Sequence, residues 1–166
     1  MEQPRRKDLR LQGYDYSAHG AYFITICTQG KRSLFGPVGA DSISARMLRW
    51  AFDKTLAQYP NVSCPDFVIM PNHFHCVLML DRTGAGADME SAPTISDIIQ
   101  TFKRISTIEY IYMVKAGVVP SFEKRVWQRS YYAHIIRDEH DYLRIAKYIM
   151  ENPAKWMEDR YYVPEE

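Results

Sequence analysis

Val68-Ile-Met-Pro-Asn-His-Phe-His-Cys-Val-Leu-Met-Leu80 is the stretch on which the reading of this chain depends. It is an apolar strand interrupted by a His-Phe-His triplet, with Pro71-Asn72 as turn chemistry just ahead of it. Strand side chains alternate faces with period 2, so His73 and His75 point one way and Phe74 and Cys76 the other. Two imidazoles one residue apart on one face can converge on a single metal ion. A lone strand histidine is more often a hydrogen-bonded core residue. A pair on one face, among Val, Ile, Leu, Met and Phe, would cost free energy without partners. The triplet alone leaves both readings open, and the rest of the chain has to separate them.

The chain has 166 residues, of which 46% are hydrophobic, enough for one globular domain over 1–166 with a sizeable core. Lys and Arg number 21 against 20 Asp and Glu, so the formal charge of +1 argues neither for nor against a nucleic-acid partner. Clustering carries more: Arg5-Arg6-Lys7 with Arg10, Lys31-Arg32, Lys103-Arg104, and Lys124-Arg125 with Arg129. Any one of these alone reads as a solvated face. Cys27, Cys64 and Cys76 show no paired spacing, which suits a reducing compartment. With no apolar leader and no run long enough to span a bilayer, a soluble cytoplasmic protein is expected.

Working outward, residues 1–20 read as a basic, turn-rich arm. Ala21 to Thr28 is β-branched and aromatic, a first strand, and a short strand is expected around Leu34. A helix follows from Ser42 to Tyr59, its apolar face made by Ile43, Met47, Trp50 and Leu56, with Pro60 closing it. Asp66 to Met70 and His73 to Leu80 form two strands. A small-residue linker, 81–93, precedes a helix from Thr94 or Ser96 to Val114, whose core face is Ile95, Ile98, Ile99, Phe102, Ile105 and Ile108. Tyr131 to Arg137 is another strand, Glu139 to Asn152 a last helix capped by Asp138, and 153–166 a tail. Strand, helix, strand, strand, helix, strand, helix implies an α+β fold: an antiparallel sheet with packed helices, of ferredoxin-like or split βαβ type.

The last helix adds chemistry. On a helical wheel Tyr142, Leu143, Ile145, Ala146, Ile149 and Met150 gather on one apolar side. Tyr148 falls with Asp141, Arg144 and Asn152 on a polar stripe about 140° from that centre. Tyr148 and Asn152 are four apart, hence neighbours. If this stripe faces the histidine strand, His73, His75 and the Asn152 side-chain oxygen offer three ligands. Mixed nitrogen and oxygen ligation with open positions suits Mg²⁺ or Mn²⁺, and imidazole also admits Zn²⁺. A metal there polarises a phosphate, and Tyr148 attacks phosphorus to give a phosphotyrosine.

Pro-Asn-His-Phe-His-Cys-Val at 71–77 resembles the His-hydrophobic-His (HUH) motif of single-tyrosine transposases. Val126-Trp-Gln-Arg-Ser-Tyr-Tyr-Ala-His-Ile-Ile-Arg137 followed by Tyr148-Ile-Met-Glu-Asn-Pro153 is similar to the C-terminal signature of the REP-associated tyrosine transposases. The likeness runs from about Tyr14 to Trp156. It implies an HUH endonuclease that cuts and rejoins single-stranded DNA near a hairpin with a divalent metal, Mg²⁺ or Mn²⁺. The tyrosine becomes joined to a 5′ phosphate and a 3′ hydroxyl is freed, so religation needs no ATP. By position His73 and His75 match the metal ligands, Tyr148 the nucleophile and Asn152 the third ligand. Related transposases form dimers and some REP-associated members act as monomers, so a homodimer and a monomer are both open.

The DNA contacts expected from charge are Arg5, Arg6, Lys103, Arg104, Arg125 and Arg129, with Arg144 beside the tyrosine stripe. Trp127, Tyr131 and Tyr132 are candidates for base stacking, against strand or core packing. Two other functions compete. A domesticated hairpin-binding protein would keep the fold without transposition, although all four catalytic positions are filled. An unrelated metallohydrolase on His73 and His75 lacks an acidic ligand at a recognisable spacing.

Overall fold

The computed structural model describes residues 20–39, 41–81 and 92–164. The expected basic arm, with Arg5 and Arg6, lies outside the described residues except for Gly20, which begins the first strand, and so does most of the expected linker. The elements run β1 (Gly20–Cys27), α1 (Ile43–Leu56), β2 (Val62–Ser63), β3 (Phe67–Met70), β4 (His73–Leu80), α2 (Ile95–Lys115), β5 (Tyr132–Ile136) and α3 (Glu139–Glu151). Each helix opens on a polar cap. Ser42 accepts from the Ala45 N–H, Thr94 and Asp97 form a reciprocal capping box, and Asp138 accepts from the Asp141 N–H.

The sheet is antiparallel at every pair. β5 lies at one edge, then β1, then β4; β2 and β3 share the far side of β4, β2 at its Leu80 end and β3 at its His73 end. This is the expected α+β sheet, with β1 and β4 central. Among the described residues the short two-residue β2 is an addition, and no strand forms around Leu34, which is buried instead.

Strand parity divides the core in two. Tyr22, Ile24 and Ile26 of β1 and Phe74, Cys76 and Leu78 of β4 face α1 and α2, where the larger core sits. Phe23 of β1 and Val77 of β4 face the other way, against Ile145 and Ile149 of α3. His73 and His75 share the parity of Val77, so the two imidazoles lie on the α3 face.

The helices bury different stripes from those expected. α1 buries Ser44, Leu48, Ala51, Phe52 and Thr55, while Ile43 and Trp50 are exposed. Ser44, Ala51 and Thr55 are small, and a search for large apolar side chains passes over them. α2 buries Ser106 and Tyr110 in addition to Ile95, Ile98, Ile99 and Phe102, and leaves Ile108 exposed. On α3 the expected face is rotated: Leu143 and Met150 are exposed, and Ile145, Ile149 and Asn152 are buried. Tyr148 and Asn152 therefore border the docked face rather than lying far from it.

Candidate active site

β4 carries His73 and His75 onto the α3 face, and β1 supports them from the next strand. In the register Cys27 lies opposite His73 and Thr25 opposite His75. Thr25 Oγ1 is 2.8 Å from His75 Nδ1, and Asn72 Oδ1 is 2.8 Å from His73 Nδ1. Each ring is thus engaged at Nδ1. The two ring centroids are 4.5 Å apart.

α3 crosses above them. The Tyr148 hydroxyl is 3.5 Å from His75 Nε2, and its ring stands edge-on to Phe23 and near His75. One turn on, Asn152 ends the helix and is buried. After Pro153 the chain folds back through a 3-10 turn at Trp156–Glu158. This lays Trp156 and Tyr161 against His73, at ring separations of 5.8 and 4.7 Å. It also brings in Asp159, whose Oδ2 accepts from Asn152 Nδ2 at 2.7 Å and lies 3.5 Å from the Tyr148 hydroxyl.

His73, His75 and Asp159 present ligand atoms that all lie within 4.8 Å of one another. Among the described residues, the buried side-chain polar atoms without a partner are His73 Nε2 and Asn152 Oδ1. An unpaired buried acceptor costs about 1–3 kcal/mol, so two beside one carboxylate need an explanation. Two imidazole nitrogens, a carboxylate and an amide oxygen form a donor set that fits a divalent cation.

The electrostatics agree. Burial lowers the His73 pKa to about 4, against the opposing pull of the Asp159 carboxylate and the Asn152 amide. His75 is lowered well below its usual value by burial first, then by His73 and Arg160. Both rings are neutral at physiological pH, as ligation requires. Burial, then Asp159 and Tyr161, pushes Tyr148 up to about 12, so its phenol holds its proton in the metal-free protein.

The expected DNA-binding residues scatter. Arg104 and Arg129 are exposed and Arg125 is half-buried. Arg144 is exposed and pairs with Asp141, which also accepts from His134 Nε2 at 2.7 Å. Lys103 Nζ donates to the carbonyls of Gln128, Arg129 and Ser130, the segment leading into β5. Trp127 is 3% exposed, and its indole N–H donates to Ser106 Oγ; Tyr131 is also buried. Neither presents a free ring face for stacking. Tyr132 packs near Phe23 beside α3.

Sequence reasoning did not single out Asp159, Thr25 or the side chain of Asn72. The strand pattern could have found Thr25, which shares a face with Phe23. Nothing local marks Asp159, whose place depends on the chain reversing after Pro153.

The site is thus a His-x-His strand lying under a tyrosine-bearing helix, on an antiparallel sheet. No family model matches the chain. It is 35% identical over 95% of its length to an uncharacterized protein of Haemophilus influenzae, covering 93% of that protein. It is 28% identical to a second Haemophilus influenzae protein, a "Putative REP-associated tyrosine transposase", over 85% of this chain and 74% of the other. The fold is similar to that of a REP-associated tyrosine transposase solved bound to a REP hairpin: TM-score 0.63, 24% identity, 89% of this chain and 73% of that one. The chain is thus similar in sequence to one REP-associated tyrosine transposase relative and in fold to another. No helix of the described residues is long and apolar enough to cross a membrane.

Proposed function

We propose that this protein is a metal-dependent single-stranded DNA strand transferase that cuts and rejoins at hairpin or REP-like DNA through Tyr148. The observation that carries the reading is the pair of buried, unpartnered acceptors, His73 Nε2 and Asn152 Oδ1, converging with His75 and Asp159 beneath the Tyr148 hydroxyl. His73, His75, Asn152 and Asp159 would hold Mg²⁺ or Mn²⁺, which when bound supplies Lewis-acid polarisation of a phosphate. The structural relative is described as bound to a REP hairpin, which supports a hairpin substrate for this chain.

In this reading Tyr148 is the nucleophile. Its oxygen forms a bond to phosphorus as the bond from phosphorus to the 3′ oxygen breaks, and the phenolic proton is passed on so that a 3′ hydroxyl departs. The product is a 5′ phosphotyrosine, and attack by a 3′ hydroxyl reverses it. Buried neutral imidazoles and packed aromatic rings keep bulk water from the lower wall of the site. Exposed Arg104 and Arg129, with Arg125, serve the DNA backbone away from the reacting phosphate.

A covalent-trapping gel tests this. Purified protein, Mn²⁺ or Mg²⁺ and end-labelled hairpin DNA from the gene's flanks are resolved under denaturing conditions. The expected result is a protein-linked label that requires metal and vanishes in Tyr148→Phe. An adduct that survives Tyr148→Phe overturns the nucleophile. Tight hairpin binding with no adduct in the wild type favours a binding protein.

A further inference from the structure

We infer that Asn72 is the positioning residue that holds His73 in the tautomer able to accept a metal, a role resting on the metal-site reading above. Asn72 is 1% exposed, in the turn just before β4, and every polar atom of its side chain is used. Its amide nitrogen donates to the Lys31 carbonyl at 3.1 Å and the Tyr161 carbonyl at 2.8 Å. Carbonyl oxygens cannot donate, so the nitrogen end of the amide must face them. That fixes the orientation of the group without reference to the histidine.

With the nitrogen so placed, Asn72 Oδ1 faces His73 Nδ1 at 2.8 Å. An amide oxygen only accepts, so Nδ1 must carry the proton. A neutral imidazole has one N–H, and Nε2 is therefore left as a bare lone pair. This is the atom found buried and without a partner. The orphan is thus a consequence of two backbone carbonyls, read through one amide.

Thr25 stands in the corresponding place at His75 but does not impose the same choice. A hydroxyl can donate or accept, so the 2.8 Å contact with His75 Nδ1 fits either tautomer. Asn72 makes the assignment at His73, and it does so while joining three parts of the molecule. Its backbone carbonyl accepts from the Thr28 N–H and hydroxyl, and its amide reaches the C-terminal segment at Tyr161. Outer partners of this kind set ring orientation and basicity at metal sites.

Two substitutions separate positioning from scaffolding. Asn72→Asp keeps an acceptor for His73 Nδ1 but loses both donations. Asn72→Leu loses the acceptor as well. The readouts are the ¹⁵N shifts of the His73 imidazole in the metal-free protein and the Mn²⁺ affinity by calorimetry. The expected wild type shows the Nδ1–H tautomer. Asn72→Asp retains it and binds Mn²⁺ as tightly or more so, and Asn72→Leu mixes tautomers and weakens Mn²⁺ binding by about tenfold to a hundredfold. An Nε2–H tautomer in the wild type overturns the inference, as does Asn72→Asp failing as badly as Asn72→Leu. Should Asn72→Leu not fold, the wild-type tautomer and the Asn72→Asp affinity still decide. A wild type that shows Nδ1–H on His73 yet binds no Mn²⁺ refutes the metal-site reading and leaves the tautomer assignment standing.

Discussion

Asn152 and Asp159 meet across 2.7 Å, amide nitrogen to carboxylate, and this contact leaves the Asn152 amide oxygen buried and free to ligate. The helix end and the tail beyond Pro153 are therefore one unit of the site. In the proposed metal site Asp159 contributes one ligand and orients another. Asp159→Asn is expected to weaken Mn²⁺ binding by more than tenfold, about 1.4 kcal/mol, with a thermal midpoint near that of the wild type without metal. Calorimetric titration with Mn²⁺, beside a melt of the metal-free protein, checks both. Unchanged affinity would remove Asp159 from the ligand set.

α3 is tied to the sheet side of the molecule at a second point besides Tyr148. The Tyr142 hydroxyl donates to Asp66 Oδ2 at 2.6 Å, tying the helix to the segment before β3. That hydrogen bond, with burial second, pushes the Tyr142 pKa up to about 12 from its usual 10. The folded state thus holds this proton more tightly than the unfolded chain. Its stabilisation is complete below pH 10 and is lost as pH rises through 12. Tyr142→Phe should cost about 1 kcal/mol at neutral pH, and the gap from wild type should close as pH rises through that window. Urea unfolding at neutral pH and near pH 11 measures it; a gap independent of pH contradicts the account.

The sheet was legible because its evidence is local. β4 and β1 are alternating or continuous apolar runs, and Pro60, Pro71-Asn72 and Pro153 punctuate them. His73, His75 and Tyr148 were equally visible, since strand parity and a four-residue helical step put each where it is found. Helix faces were read less well. Leu143 and Met150 look like core by composition, yet α3 docks on Ile145 and Ile149, and only packing decides which stripe turns inward. Asp159 was hidden for another reason: its partners are set by chain reversal, which no periodicity encodes.

Lys103 and Arg104 are adjacent in sequence and differ in surroundings. Lys103 Nζ is held by three successive carbonyls before β5, whereas Arg104 is exposed. Lys103→Met should therefore destabilise the fold by about 1–3 kcal/mol, because carbonyls lose a charged donor. Arg104→Ala should leave the melt unchanged. If Arg104 meets a phosphate, its removal lowers the salt dependence of single-stranded DNA binding by about 0.7 in the log–log slope. Chemical denaturation of both variants and fluorescence-anisotropy titrations across a salt series separate the roles. Equal loss of DNA affinity in two equally stable variants would show that Lys103 leaves its carbonyls to bind DNA.

Trp127 carries the sharpest contrast between the two readings of an aromatic in a basic segment. Its ring lies against Phe35 and Phe102, at centroid separations of 5.1 and 5.6 Å, and its N–H is used by Ser106. A bridge between Thr28 and Trp127 fixes the backbone at the end of β1. Trp127→Ala should therefore cost about 3–5 kcal/mol through lost burial and an open cavity. Trp127→Phe should cost less but leave Ser106 Oγ without its donor. A stacking residue behaves in the opposite way, since its removal costs affinity for DNA and little stability. Unfolding curves for Trp127→Phe and Ser106→Ala, set beside their hairpin affinities, distinguish the cases. Both variants should melt early and bind hairpin DNA as the wild type does at temperatures where they are folded. A stable Trp127→Phe that binds DNA weakly would return Trp127 to the surface role.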